Sequence, residues 1–546
     1  MLNYPIGIQD FATIRKGGYV YVDKTELIYK LTRGHIYFLG RPRRFGKSLL
    51  VSTLKYYFEG RRDLFEGLKM AELEQKWQQY PVFVFDLNLG NKKAANGLRD
   101  YLLSIISKGE QDYGIPPLMK PDGSAPMLDA PMRLANLLEE VHKKIGQQSV
   151  VLVDEYDKPL LDLLETGNPS DEAQIEANRD ELRNFFSTFK AADAHLRFVL
   201  LTGITKFSQV SMFSGVNQPD DISYSNRFDT LLGITEDELY SVFADPIEEL
   251  ADELGLTVEE TKKQLKNMYD GYHFSQKLKD VYNPFSILNV FADLKIKDYW
   301  FTSGTPSYLM RLLSRCNEDV MQYTGRWYDE KTFVDYKADT AMPLPIIFQS
   351  GYLTIKDVDR EFNTYMLDFP NREVREGLAT LLMGNYIQPK EDTKSWVVKT
   401  VQALRAADLD LVRRLFTSFL AATPYSMRRR REEPRDYGVS RGGSPQEQRE
   451  LYFHYTFYLL MRLISCYTVY TEKQLSEGRA DCIVETPNYI YIFEFKLDGT
   501  AAEALQQIKD KGYARAYDAD GRKKFLLGVS FSSKTGTTEE WEIEDY

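Results

Sequence analysis

The chain has 546 residues, 43% of them hydrophobic and 27% charged, which is the composition of a globular protein too long for a single core. Its formal net charge of −11 excludes a basic field over the whole chain, while a local basic patch for nucleic acid stays open. Three widely spaced cysteines, no secretory signal pattern and no apolar run of about 18 residues predict a cytoplasmic protein with neither a disulfide framework nor a membrane span.

The first third of the chain alternates short apolar runs with stretches of helical character. The runs are bounded by glycine, polar or charged residues and occupy residues 35–39, 82–87, 150–153 and 197–201. Strands that alternate with helices in this way are typical of a parallel sheet covered on both faces. The N-terminal third is therefore predicted to be an α/β core.

A phosphate-binding loop is predicted where the first run ends, in the letters YFLGRPRRFGKSLL. Gly46 lets the backbone approach a phosphate, Lys47 can reach the β- and γ-phosphates, and the Ser48 hydroxyl can bind Mg²⁺. The match to GxxxxGK[ST] is imperfect, because Arg41 occupies the first glycine position and Gly40 precedes it. The loop is thus either one residue longer or differently turned.

Acidic and polar residues follow two later strands. Asp154 and Glu155 come directly after VVLV, where Mg²⁺ needs a carboxylate and the attacking water needs a polarising group. We expect their strand to lie beside the phosphate-loop strand; a solvated acidic loop is the ordinary alternative. Thr202 ends the next strand, either as a sensor of γ-phosphate or water or as an ordinary strand-end threonine.

Four cations could neutralise transition-state charge at such a site. They are Arg43, Arg44, Lys206 and Arg227. Taken singly, each is better interpreted as a member of a surface salt bridge, and the sequence does not choose among them.

The middle of the chain is predicted to be mainly helical over residues 235–315, where two segments place Thr ahead of Glu as at helix starts. Two strands at residues 352–355 and 365–367, with a helix beginning at Arg372, are compatible with a winged-helix-like module. Residues 423–445 are rich in Arg, Gly, Ser and Pro and are predicted to be a linker or long exposed loop.

A second, smaller α/β unit is predicted after that linker. Its expected elements are a helix at 446–466, strands at 480–485 and 490–495, a helix at 501–517 and an apolar strand at 524–529.

The second chemical centre lies in this unit. Asp481 is expected to open one strand, and Glu494 and Lys496 lie two apart on the next, so the latter two share a face opposite Phe493 and Phe495. A hairpin would bring Asp481 and Glu494 to one divalent cation, with Lys496 orienting water or steadying the phosphate. The alternative is a charged solvent face on an edge hairpin.

Three further residues are weaker candidates for this centre. Glu450 and His454 share a helix face and Glu450 could bind the metal, although a packed helix histidine is the commoner state of His454. Gln507 could hold substrate or Lys496. The arginines at 428–431 could dock a phosphate backbone, but two glutamates follow and favour a solvated loop.

Several strings in the chain resemble the bacterial AAA-ATPase-like family. They are YVDKT, RPRRFGKS, VDEYDKP, LTGITKFS, SMFSGVN, GITEDEL and QSGYLTI, in that order. The C-terminal part resembles a PD-(D/E)XK nuclease-superfamily domain, matched by GRAD and FEFK. The resemblance implies a P-loop NTPase parallel-sheet core, a helical and winged-helix-like lid, and a C-terminal restriction-endonuclease-like α/β domain.

The matching positions define two predicted sites. The predicted nucleotide-binding residues are Gly40, Arg43, Arg44, Gly46, Lys47, Ser48, Leu49, Asp154 and Thr202, with Glu155 catalytic. The predicted nuclease residues are Asp481, Glu494, Lys496 and Gln507. Ser48 and Asp154 are the predicted Mg²⁺ ligands at the first site, and Glu450, Asp481 and Glu494 hold Mg²⁺ or Mn²⁺ at the second.

The expected domains are an ATPase core at 1–235, a lid at 236–390, a helical connector and linker at 391–445, and a nuclease-like domain at 446–546. The leading hypothesis is an ATP-dependent or ATP-regulated protein that processes nucleic acid, with DNA favoured. The alternative is a nucleotide-controlled switch that binds nucleic acid or protein without cutting. A small-molecule kinase would leave the C-terminal unit without a purpose, and a homo-oligomer stays open.

Overall fold

The computed structural model describes residues 2–164, 171–206, 219–301, 323–334, 343–378, 393–421, 468–475, 478–532, 534–535 and 537–546. The chain divides into two compact units, residues 1–375 and 376–546, which are described one after the other.

The described part of the first unit contains eight strands and a larger number of helices. The strands are β1 (Ile36–Gly40), β2 (Val82–Asp86), β3 (Ser149–Asp154), β4 (Leu196–Gly203), β5 (Asp220–Asp221), β6 (Arg326–Asp329), β7 (Thr354–Asp359) and β8 (Thr364–Asp368). The helices are α1 (Phe11–Lys16), α2 (Thr25–Leu31), α3 (Lys47–Phe58), α4 (Lys69–Leu73), α5 (Gly97–Tyr113), α6 (Ala130–Ile145), α7 (Lys158–Leu164), α8 (Glu172–Ala191), α9 (Glu236–Val242), α10 (Ala244–Leu254), α11 (Val258–Tyr269), α12 (Pro284–Asp293), α13 (Glu330–Val334) and α14 (Leu344–Gln349).

The predicted parallel sheet is confirmed, with all four expected strands present. Its order is β2-β3-β4-β1-β5, and every neighbouring pair is parallel. Every residue of β3 is buried, because helices cover a parallel sheet on both faces. Parallel strands bring their carboxyl ends to one edge, where the loops after β1, β3 and β4 meet.

One expectation about this sheet is wrong: the strand that ends at Asp154 does not lie beside the phosphate-loop strand. Instead β4 lies between β1 and β3, so Leu39 pairs with Thr202 and Leu201 with Val153. Crossover helices allow a later strand to insert between earlier ones, and nothing in the local sequence of a strand specifies its neighbours.

Helices α9 to α12 form the predicted helical region as far as residue 301; residues 302–315 lie outside the described residues. Both expected helix starts are capping boxes, in which Thr235 and Thr257 exchange hydrogen bonds with Glu238 and Glu260. The apolar faces of α9 to α12 pack into one core that includes Leu250. The helical prediction is therefore correct for the described part.

A small antiparallel sheet of order β6-β8-β7 follows in the first unit. Strands β7 and β8 were expected, whereas β6 was not; its four residues are mostly exposed and give no apolar pattern. Residues 372–378 are helical, as predicted from Arg372.

The second unit has a mixed sheet. Its described elements are α15 (Thr393–Ala406), α16 (Leu409–Ala421), β9 (Thr468–Leu475), β10 (Gly478–Glu485), β11 (Tyr489–Leu497), α17 (Ala501–Asp510), β12 (Lys523–Phe531) and β13 (Thr538–Asp545). The order is β13-β12-β11-β10-β9; β11 and β12 are parallel and α17 connects them, while the other pairs are antiparallel.

Two expectations for this unit need correction. Strand β10 begins at Gly478, so Asp481 is its fourth residue and does not open it. The helix expected over 501–517 ends at Asp510, and a separate 3₁₀ turn follows. Strands β10 and β11 form the expected antiparallel pair, and the alternative of an edge hairpin is wrong because β11 is the central strand. The predicted linker and the 446–466 helix lie outside the described residues.

No helix among the described residues combines the length and the apolar character needed to cross a bilayer. Cys482 is buried on β10, and the other two cysteines lie outside the described residues.

Candidate functional site

The phosphate loop runs from the end of β1 to the first turn of α3. Gly46 is the residue before α3 and has φ +95°, and Arg44 also has a positive φ of +68°. Left-handed residues alternating with ordinary ones make successive backbone N–H groups converge, and a helix N-terminus adds to the positive field. The loop backbone therefore has the geometry of an anion-binding nest.

The residue at the missing first glycine is anchored in the protein interior. Arg41 is only 1% exposed, and its guanidinium donates to the carbonyl oxygens of Ser223 and Phe228, the latter at 3.3 Å. The same group lies 4.1 Å from the centre of the Phe274 ring. Because Arg41 is held in this way, the loop turns without a glycine there, and Gly40 serves as the last residue of β1.

Lys47 points back into its own loop. Its ammonium donates to the carbonyl oxygens of Arg41 at 2.9 Å and Pro42 at 3.0 Å. Burial lowers the pKa of Lys47, and the nearby carboxylates of Glu155 and Asp154 oppose that shift. The Lys47 ammonium is therefore placed where it could leave these carbonyl partners and bind a phosphate oxygen.

Asp154 and Thr202 meet at the ends of β3 and β4. The Thr202 hydroxyl donates to a carboxylate oxygen of Asp154, and both residues are buried. A hydroxyl donor fixes the carboxylate, so that its other oxygen keeps a defined direction. The predicted Thr202 thus lies against the predicted Mg²⁺ ligand.

Glu155, the residue after Asp154, has a strained backbone conformation. Its φ is +51°, a conformation rare for residues other than glycine, and its N–H donates to Asp154 Oδ1 at 3.1 Å. Burial raises the pKa of Glu155, and the Lys47 ammonium counteracts that rise. A half-buried carboxylate beside Lys47 at a strand end is suited to general-base chemistry.

Asp157 was missed by the sequence reasoning. Its Oδ2 accepts hydrogen bonds from the N–H groups of Ile204 and Thr205 at 2.9 and 2.7 Å and from the Thr205 hydroxyl at 2.7 Å. Asp157 therefore shapes the loop after β4. The second aspartate of DEYD was a visible signal, but its spacing did not reveal which loop it would meet.

The four candidate cations have different surroundings. Lys206 pairs with Asp221 at 2.8 Å, and the exposed Arg227 pairs with Asp220 at 2.6 Å. Arg44 stacks over the Phe285 ring at 4.9 Å. The backbone carbonyl of Arg43 accepts a hydrogen bond from the indole of Trp300.

Ser48 and Leu49 occupy the second and third positions of α3, and both are half-buried. Ser48 follows Lys47 directly, so its hydroxyl belongs to the same helix N-terminus as the loop amides. The structure thus brings the predicted loop residues, Asp154, Glu155 and Thr202 to one edge of the parallel sheet.

The second candidate site lies on the central strand of the C-terminal sheet. Asp481 on β10 and Glu494 on β11 are adjacent across the ladder, next to the Cys482–Phe493 pair. Asp481 Oδ2 accepts the N–H of Phe495 at 2.9 Å, and the Asp481 N–H lies 3.4 Å from Glu494 Oε2. The two predicted carboxylates are therefore together.

Gln507 forms hydrogen bonds with both charged residues of β11, Glu494 and Lys496. Lys496 Nζ donates to Gln507 Oε1 at 2.6 Å, and the Gln507 amide nitrogen donates to Glu494. Gln507 belongs to α17, so the helix that joins β11 to β12 closes the site. The predicted glutamate, lysine and glutamine thus form one continuous hydrogen-bonded group.

The position of α17 over this site depends on a glycine. Gly528 is opposite Glu494 in the β11–β12 ladder, and a Cβ there would lie 2.1 Å from the Ala501 carbonyl oxygen. The absence of a side chain lets α17 lie close to β12, which places Gln507 against Glu494. Phe493 and Phe495 lie on the other face, where their rings stack 6.2 Å apart.

The site is not a solvent face, because Glu494 is only 2% exposed. Within the described residues, no group of three His, Cys, Asp or Glu side chains is arranged to hold a metal. A cation here would bind the hard oxygens of Asp481 and Glu494, with carbonyl groups and water, a donor set that suits Mg²⁺ or Mn²⁺. Glu450 and His454 lie outside the described residues.

Two family models match the chain. Residues 5–213 match the model described as a predicted AAA-ATPase, which covers the phosphate loop, Asp154, Glu155 and Thr202. Residues 448–541 match the model of the PD-(D/E)XK nuclease superfamily, which covers Asp481 and the Glu494–Lys496–Gln507 group.

A relative from Azotobacter chroococcum mcd 1, named as an uncharacterized protein in the vnfD 5' region, is 34% identical over 546 residues. The match covers 99% of this chain and 98% of the relative, so the similarity includes both sites and the region between them.

Proposed function

The chain belongs to the AAA-ATPase-like family and carries a C-terminal domain of the PD-(D/E)XK nuclease superfamily, and from this we propose that it is an ATP-hydrolysing protein with a metal-dependent nuclease activity that acts on DNA. The proposal assigns nucleotide chemistry to the edge of the parallel sheet in the first unit. It assigns phosphodiester chemistry to the carboxylate–lysine–glutamine group of the second unit.

At the nucleotide site, the loop amides before α3 would bind the β- and γ-phosphates. Lys47 would leave the loop carbonyls of Arg41 and Pro42 to neutralise charge on the γ-phosphate. Glu155 would take a proton from the water that attacks the γ-phosphorus, as the bond to the ADP oxygen breaks. Mg²⁺, bound by Ser48 and by Asp154 directly or through water, would supply electrostatic stabilisation of the phosphates.

At the second site, Asp481 and Glu494 would hold Mg²⁺ or Mn²⁺, and such a cation would supply Lewis-acid chemistry for phosphodiester hydrolysis. Lys496 would stabilise the charge that develops on the phosphate oxygens. Gln507 fixes the separation of Lys496 and Glu494 by bonding to both. These side chains are held before any substrate binds, which reduces the reorganisation needed for reaction.

The single observation that carries the proposal is the bridge through Gln507. Four residues chosen from the letters GRAD, FEFK and a following helix lie within hydrogen-bonding contact of one another or of the adjoining backbone. An incidental charged surface has no reason to bury Glu494 or to place an amide between it and Lys496.

Crossed variants test the two assignments. In Lys47→Ala, ATP binding and turnover should be lost, because Lys47 supplies the ammonium proposed to contact the β- and γ-phosphates. In Glu494→Ala, Mn²⁺-dependent cleavage of labelled single- and double-stranded DNA should be lost, while ATP turnover persists. Exposed residues provide the matched controls, Lys30→Ala for the first variant and Glu539→Ala for the second. A Glu494→Ala protein that cuts as well as wild type contradicts the nuclease assignment.

One observation favours the non-cutting alternative, a nucleotide-controlled switch. The edge strand β13 carries five carboxylates, all of them exposed: Glu539, Glu540, Glu542, Glu544 and Asp545. Such a strand repels a phosphate backbone and suits a basic protein surface. Wild-type protein that cuts no DNA with Mn²⁺, yet retains a partner only in the presence of ATP, would support this alternative.

A further inference from the structure

The carbonyl of Arg43 contacts the lid, the part of the first unit that follows the parallel sheet in sequence. The indole N–H of Trp300 donates to this carbonyl at 3.4 Å. The Arg43 carbonyl and the Arg44 N–H belong to one planar trans peptide, so they point in opposite directions. A donor that fixes the Arg43 carbonyl therefore also fixes the direction of the Arg44 N–H, on the opposite side of the peptide.

Other lid residues pack against the same loop. Phe45 meets the rings of Tyr272 and Phe274 edge-on, at 4.9 and 5.2 Å between ring centres. A Cβ at Gly351 would lie 2.7 Å from Pro42, so the lid backbone approaches the loop as closely as glycine permits. Pro42 and Phe45 of the loop are thus packed on the lid.

Trp300 is itself held by a buried carboxylate. Glu373 is 1% exposed, and its Oε1 accepts the N–H groups of Tyr299 and Trp300 at 2.7 and 2.8 Å. Its Oε2 accepts the Ser286 hydroxyl at 2.8 Å. Glu373 therefore joins three segments of the lid and fixes the backbone from which the indole extends.

Burial raises the pKa of Glu373 to about 7, while the hydrogen bonds from Trp300, Tyr299 and Ser286 act in the opposite sense. Neither backbone bond requires a full negative charge, since a neutral carbonyl-type oxygen also accepts N–H groups.

The Trp300 ring is packed as well, with Tyr352 at 5.0 Å and Phe301 at 5.2 Å between ring centres.

We propose that Trp300, fixed by Glu373, is a positioning residue for nucleotide binding: it orients the Arg43–Arg44 peptide so that the Arg44 N–H faces the phosphates. This role rests on the proposed ATP-binding function. Because the contact is made to the loop and not to the reacting atoms, it affects the affinity for nucleotide and leaves the chemical step unchanged.

The test compares nucleotide binding by Trp300→Phe and wild-type protein. Phenylalanine keeps an aromatic ring among Tyr352 and Phe301 but has no donor for the Arg43 carbonyl. The Kd for MgADP by calorimetry and the KM for ATP should rise about three- to ten-fold, as expected for one lost hydrogen bond. The kcat should stay at the wild-type value, and the melting temperature without nucleotide should fall only by what the smaller ring costs in packing. Trp327→Phe, at an exposed tryptophan of the same unit, is the matched control and should change neither constant.

Variants at Glu373 keep the test decisive if Trp300→Phe folds poorly. Glu373→Gln retains an oxygen for both N–H groups and can donate to Ser286, so its Kd should equal that of wild type. Glu373→Leu should weaken MgADP binding to the level of Trp300→Phe.

Two failures are distinguishable. Wild-type protein that binds no nucleotide contradicts the proposed function. If the wild-type protein binds MgADP, and the Kd of Trp300→Phe or of Glu373→Leu lies within two-fold of the wild-type value, only the role of Trp300 is overturned.

Discussion

The two candidate sites use different parts of the protein chain. At the N-terminal site the predicted ligand-binding groups are backbone amides and side chains at or just after a strand end, such as Asp154 and Glu155. At the C-terminal site Glu494 and Lys496 lie within a central strand, and Gln507 reaches them from a helix. The first site is therefore built from loops at a sheet edge, and the second from strand register and helix approach.

This difference explains why the first site tolerates an altered motif. Backbone amides are present whatever the side chain, so Arg41 can replace a glycine once its guanidinium is bound elsewhere. The second site has no such freedom, because a shift of one residue along β11 would move Glu494 to the face of Phe493. We expect substitutions at the first site to change the reaction rate alone. At the second site, we expect them to change both the reaction rate and the stability of the fold.

The largest expected effect tests the claim about the first site. Glu155→Gln removes the proposed general base, and we expect the strained backbone and the adjoining loop to stay unchanged. ATP turnover should fall about 10²- to 10⁴-fold, the usual contribution of a general base. The Kd for ATP and the melting temperature should remain near wild type. A Glu155→Gln protein with wild-type turnover would show that another group takes the proton.

The pH dependence of ATP turnover by the wild-type protein should show the same carboxylate acting as a base. Only ionised Glu155 can accept a proton, and burial raises its pKa above the ordinary 4.5. Turnover should therefore increase with pH through this raised pKa, and the rising limb should be absent from the residual activity of Glu155→Gln. Glu59→Gln, at a carboxyl whose pKa burial also raises but which lies at the end of α3, is the control and should keep the limb.

The sequence predicted those parts of the fold that local patterns determine. Runs of Val, Leu and Ile predicted β1 to β4, and Thr–Glu spacing predicted the capped starts of α9 and α11. Alternation predicted the opposite faces of Glu494 and Phe495. Each of these properties depends on residues within a few positions of one another.

Properties that depend on distant residues were not predictable in this way. The insertion of β4 between β1 and β3 depends on crossover packing over more than a hundred residues. Arg41 is buried by Ser223, Phe228 and Phe274, which its own sequence neighbourhood does not reveal. Strands β6 and β13 are mostly exposed, so they lack the apolar pattern by which strands are recognised.

A glycine substitution tests the dependence of the second site on helix approach. In Gly528→Ala the new Cβ would lie 2.1 Å from the Ala501 carbonyl oxygen and 2.6 Å from the Leu505 nitrogen, so α17 must move. Overpacking of this kind typically costs about 1–3 kcal/mol, and the displaced helix would also withdraw Gln507. We expect a lower unfolding midpoint in urea together with reduced DNA cleavage, and unchanged ATP turnover.

Gly521→Ala is the matched control for this variant. Gly521 lies at an exposed position of the same unit, and a Cβ added there would have no heavy atom within 4 Å. Its substitution should leave both the unfolding midpoint and cleavage unchanged. Equal behaviour of the two glycine variants would contradict the claim that close approach of α17 forms the second site.

The smallest expected effect separates positioning from folding at that site. Gln507→Leu keeps a similar volume on α17 but removes both bonds that hold Lys496 and Glu494. Cleavage should fall about ten-fold, the rate equivalent of ~1.4 kcal/mol, because both charged groups persist but lose their fixed separation. Gln506→Leu, at the neighbouring exposed position of the same helix, should cut as wild type. Since both variants carry the same substitution, a loss confined to Gln507→Leu assigns the effect to the bridge, whereas equal losses would assign it to the stability of α17.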